Sequence, residues 1–125
     1  MHRTLGMDFL PPDGKWWQLE NLARRIGLTQ GEIDQLDQAF LESRRKMIQL
    51  KTTLETEQFE LEALIEGASI NETSVFSQYE KLETARRALG MERFRFFLSV
   101  RKIIGHDKFQ KLLLIKRERD RRRDR

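Results

Sequence analysis

Between Gly31 and Gly67 no proline or glycine interrupts a run in which apolar residues return at heptad spacing: Ile33 and Leu36, Phe40, Met47 and Leu50, Leu54, Leu61 and Leu64. The spacing predicts one helix from Leu28 to Glu66, about 37 residues and about 55 Å long at ~1.5 Å per residue. Such a helix needs a partner along its length, supplied by the rest of the chain or by a second copy. Ser43 and Glu57 interrupt the apolar seam. The seam is expected to open there to a wider groove or to water.

The start of this helix is marked by four positions. Thr29 is a candidate N-cap with Glu32 at N3, so each side chain can satisfy the other residue's backbone N–H. Leu28 and Ile33 can close a hydrophobic staple around them. Upstream, Trp17, Leu22 and Ile26, with Leu19 and Ala23, make the apolar face of a short helix over 15–26, with Asp13 as N-cap and Gly27 at C′. Trp16 and Trp17 are adjacent, so one is expected in the core and the other at a rim or interface.

Downstream, Gly67-Ala68-Ser69 ends the long helix, and Ser69 and Asn71 compete to cap the next. Val75, Tyr79, Leu82, Arg86, Leu89, Arg93, Phe96, Val100 and Ile103 then alternate by four and three, which predicts a third helix to about Ile104. Two arginines fall on that seam, and Gly90 weakens its middle by ~1 kcal/mol relative to alanine, leaving room for a bend or a close approach. Gly105 breaks the pattern. Phe109, Leu112 and Leu113 begin a fourth helix that fades into an Arg-rich tail.

The expectation is one all-α domain of four helices over residues 15–115. An extended arm (1–14) precedes it, whose Phe9 and Leu10 can dock on a groove, and a charged tail (116–125) follows. Hydrophobic residues at 38% and charged residues at 35% suit long exposed helices with narrow apolar stripes, a thin core that favours self-association. The tail holds seven basic and three acidic residues, leaving 17 of each sign elsewhere, so the net charge of +4 belongs to the tail. Its interleaved Glu118, Asp120 and Asp124 read as i,i+4 pairing on a helix end rather than a nucleic-acid arm. No apolar run approaches the ~18 residues of a membrane span. No Gly-rich phosphate loop, nucleophile elbow or HExxH pattern occurs, and the absence of cysteine removes thiol chemistry. The reading is non-enzymatic.

The two turns echo each other. Leu28-Thr29-x-x-Glu32-Ile33-x-x-Leu36 lines up with Ile104-Gly105-x-x-Lys108-Phe109-x-x-Leu112. The pair resembles the repeated Leu-Thr-x-x-Gln motif of the Spy/CpxP/ZraP family, which includes the CnrX-like metal sensors. The similarity covers about residues 15–115 and departs at Glu32, where the family has Gln, and at Gly105 and Lys108, where it has Thr and Gln. The resemblance implies a long antiparallel helical hairpin with short flanking helices, intertwined as a homodimer. It implies a periplasmic stress protein, its leader or anchor removed, that binds unfolded clients or an envelope-stress regulator. A metal-responsive sensor or zinc-binding resistance protein of the same fold is the alternative. A cytoplasmic coiled-coil adaptor or nucleic-acid binder is a third reading.

Two constellations follow. Arg86, Arg87, Arg93, Phe94, Arg95, Phe96, Phe97 and Arg101 make an aromatic and basic band. Its phenylalanines suit exposed hydrophobics of a client, and its guanidinium groups suit carbonyls and carboxylates, although Phe96 also fits the core. For a metal, His106 and Asp107 are the candidate ligands, with His2 if the arm folds back, and zinc, nickel or cobalt the candidate ions, none of them required. With only two histidines in the chain, His106 as a plain turn residue is the simpler reading.

Overall fold

The computed structural model describes residues 15–123. It is all-helical, with no strand among the described residues. A 3₁₀ turn, Trp16–Gln18, leads into α1 (Glu20–Ile26), α2 (Gln30–Glu66) and α3 (Glu72–Arg123). There are thus three α-helices rather than the expected four. The third and fourth expected helices are joined in α3 across a kink at Gly105, whose φ of 80° and ψ of 174° interrupt the helical backbone without an intervening loop. The arm, Asp13 as a cap and His2 lie outside the described residues.

The chain divides into two compact units. One takes the described residues up to Glu42 and from Phe94 onward; the other is Ser43–Arg93.

In the first unit, α1 starts at Glu20 instead of Lys15, because the two tryptophans are taken up by the 3₁₀ turn. Gly27 adopts φ 85° and stops α1 in the left-handed conformation that glycine adopts without a Cβ clash. The Gly27 and Leu28 N–H groups both close on the Ala23 carbonyl, at 2.9 and 3.0 Å. Both tryptophans are buried, Trp16 at 5% and Trp17 at 0% exposure, against the expectation of one at a rim. A tight turn does not confine neighbouring side chains to opposite sides of a sheet or helix, and the two rings meet edge to face at 5.5 Å. Trp17 also packs on Phe40 at 5.5 Å and on Phe96 at 6.1 Å, and those two phenylalanines meet at 5.9 Å. Its indole N–H donates to Asp37 Oδ1 at 2.7 Å, so the polar end of a buried ring is satisfied. Leu22, Ala23, Ile26, Leu36, Val100, Ile104, Leu112 and Ile115 complete this core. The tail is helical to Arg123, with the Lys116–Asp120 pair at 2.9 Å as expected, and Arg25 donates to Glu118 at 3.0 Å.

In the second unit, Met47, Leu50, Leu54 and Leu61 are half-buried along the predicted stripe of α2. Of the two polar interruptions, Ser43 is closed off from water and Glu57 is half-buried. Ser43 is buried, and its hydroxyl donates to Glu92 at 2.8 Å. The Glu57 carbonyl accepts from Gln78 Nε2 at 2.9 Å. These bonds join 43 with 92 and 57 with 78 across the two helices of this unit.

The stripe on α3 is phased differently from the sequence reading. Gln78, Leu82, Ala85, Leu89 and Glu92 are buried, whereas Tyr79, Arg86 and Arg93 are exposed. Both phases share Leu82 and Leu89 and both alternate by four and three. Burying unpaired guanidinium groups costs several kcal/mol. The observed phase keeps the shared leucines and puts a small alanine and two hydrogen-bonded polar groups in place of Tyr79, Arg86 and Arg93. Asn71 wins the competition for the cap of α3: its side chain accepts from Ser74 N–H at 3.0 Å. Gly90 is helical, with nothing within 4 Å of where a Cβ would stand, so it neither bends the helix nor admits a close approach.

Candidate binding surface

The junction residues are brought together. Thr29 N–H donates to Glu32 Oε1 at 2.9 Å and Glu32 N–H to Thr29 Oγ1 at 3.1 Å, which is the capping box read from the sequence. The second junction then reaches the first: Lys108 Nζ donates to the same Glu32 Oε1 at 2.6 Å. The side chains of this pair are only 26% and 19% exposed. Burial pushes the Glu32 carboxyl up, but the Lys108 hydrogen bond and charge and the bonds with Thr29 outweigh it, holding the group below its ordinary value of 4.5. Ile33 is half-buried, Ile104 is buried and Gly105 forms the kink, so these junction residues serve the first unit's packing, while exposed Thr29 serves as a cap. Leu28 likewise is half-buried beside the turn.

The aromatic and basic band separates into parts. In the second unit Arg86, Arg87 and Arg93 are exposed, and Arg86 pairs with Glu83 one turn earlier on the same helix. In the first unit Arg95 is exposed. Phe94 and Phe97 are half-buried and stack at 6.2 Å, Phe97 meets Phe109 at 5.6 Å, and the Arg101 guanidinium lies 5.8 Å from the Phe109 ring. Phe96 is core. The phenylalanines of this stretch are thus largely engaged in internal packing, leaving guanidinium groups at the surface.

His106 Nδ1 lies 3.0 Å from Asp107 Oδ1, and both side chains are well exposed. Among the described residues no group of three His, Asp or Glu side chains is arranged to hold a metal ion. The pair supplies two donors of the right chemistry and no third.

The sequence reading missed a group of exposed apolar side chains. Around the turn 67–71 of the second unit, Phe59 (68%), Leu64 (38%), Ile65 (52%), Ile70 (60%), Phe76 (67%) and Tyr79 (48%) stand in water. All lie within seven residues of the end of α2 or the start of α3, about 10 Å at the helical rise. Two of them, Phe59 and Ile65, sit off the heptad stripe, and that was the available signal; Phe76, which the sequence suggests as a widening of the α3 stripe, is instead exposed. The three aromatics alone expose roughly 350 Å², taking ~200 Å² per ring-bearing side chain. No helix among the described residues is long and apolar enough to cross a membrane.

No family model matches the chain, and no curated protein and no solved structure matches it either.

Proposed function

We propose that this chain is a non-enzymatic binding protein that holds other polypeptides on exposed apolar side chains of a helical hairpin. The observation that carries the reading is the set of aromatic and aliphatic residues from Phe59 to Tyr79 standing in water beside the turn 67–71. A folded chain stabilised by a separate aromatic core has no structural need of them, and an unfolded client offers the apolar surface that covers them. Arg86, Arg87 and Arg93 keep the rest of the unit solvated and offer donors to client carbonyls and carboxylates.

The Spy/CpxP-like junctions extend the proposal to a periplasmic stress protein acting as a homodimer. The support for that extension is the junction pattern, now with Glu32 and Lys108 in contact. The test is suppression of the aggregation of a model protein at near-stoichiometric amounts. Phe59→Ser with Phe76→Ser is expected to abolish suppression while far-UV circular dichroism stays unchanged, since both side chains are two-thirds exposed. An unchanged suppression in that variant, or none in the parent chain, rejects the reading.

A further inference from the structure

The apolar surface around the turn 67–71 carries a charge pattern of its own. From Thr52 to Glu80 the chain holds seven glutamates and not one lysine or arginine. Six of the seven, Glu55, Glu60, Glu62, Glu66, Glu72 and Glu80, are exposed, and Glu57 is half-buried. They flank the same side chains that stand in water, so the exposed apolar residues at this end of the unit lie among carboxylates. This is the reverse of the chain's net charge of +4.

We infer that the occupant of this surface is a cationic amphipathic segment of polypeptide, one whose apolar side chains are interspersed with lysine or arginine; the inference rests on the client-binding reading above. Apolar contact supplies affinity without regard to charge, whereas fixed glutamates around it select by sign and speed the encounter with a basic segment. The same field argues against the other occupants. Nucleic acid and anionic lipid surfaces are repelled by it. A second copy meeting turn to turn brings seven glutamates against seven.

Three labelled peptides with the same apolar pattern, flanked by lysine, by serine or by glutamate, are titrated with the full chain by fluorescence anisotropy. The lysine peptide is expected to bind at least tenfold more tightly than the serine peptide, and the glutamate peptide most weakly. The order is expected to narrow at 0.5 M salt, because the charges act across solvent with a screening length of ~10 Å at 0.1 M. Glu60→Lys with Glu66→Lys is expected to reverse the order with helicity preserved, since both positions are exposed. Phe59→Ser with Phe76→Ser is expected to weaken all three peptides alike.

Equal binding of the three peptides overturns the inference and leaves the client-binding reading standing. Binding of none removes both. Sedimentation of the parent chain alone distinguishes a further case. Self-association that disappears in the Glu60→Lys, Glu66→Lys variant makes the basic end of another copy the occupant, which also overturns the proposal.

Discussion

Glu32 is the residue on which two distant parts of the sequence converge. It caps the start of α2 through Thr29 and receives Lys108 from the far side of the Gly105 kink. Its folded pKa is depressed, so the unfolded chain binds more protons than the folded one between the two values. The stability it contributes is therefore fully present above the ordinary value of 4.5 and is lost as pH falls through the lower folded value. Lys108→Met is expected to cost about 1 kcal/mol at pH 7 and less at pH 2. Urea titrations of both proteins at the two pH values check this, and an equal deficit at both removes the pair from the account. The capping half of this site was legible in the sequence because it is local: four residues and one known geometry. The Lys108 contact joins residues 76 apart, and only the echo between the junctions hinted that the two belong together. The second helical stripe was misread for a related reason. Tyr79, Arg86 and Arg93 satisfy the same alternation as Gln78, Ala85 and Glu92. Periodicity alone is blind to which set has partners across the interface.

At the scale of the helices, two glycines in α3 differ in kind. Gly90 has helical backbone and open space around its missing Cβ, so Gly90→Ala is expected to stabilise the chain by about 0.5–1 kcal/mol. Gly105 holds φ at 80°, where a Cβ is strained whatever the room around it. Gly105→Ala is expected to destabilise by about 1 kcal/mol or more. Calorimetric melting temperatures that move in opposite directions bear this out; a gain at both positions means the kink is not required. The long helix was readable from end to end because a heptad stripe and a capping box agree. Its two flaws were readable as positions but not as contacts. Ser43 proves to be a buried donor to Glu92, so Ser43→Ala is expected to cost about 1–2 kcal/mol by leaving that carboxylate short of a hydrogen bond. Chemical denaturation gives the value directly, and a neutral result means the hydroxyl contributes no net stability.

Across the whole molecule the two units differ in how they are packed. The first concentrates the tryptophans, Phe40, Phe96 and both junctions into a core. The second relies on a narrower stripe with two polar layers, and keeps large apolar side chains in water around its turn. All-helical architecture follows from composition and period. The exposed side chains were hidden for two reasons: a stripe search passes over residues off the stripe, such as Phe59 and Ile65, and it takes residues on the stripe, such as Leu64 and Tyr79, to be covered. The central claim is that this turn-proximal surface holds polypeptide. Hydrogen–deuterium exchange with and without an unfolded, non-aggregating client tests it most directly. Protection on client binding is predicted for amides within residues 59–79, with the core of Trp17, Leu36 and Val100 unchanged. Protection that leaves residues 59–79 unaffected while the client is demonstrably bound contradicts the account.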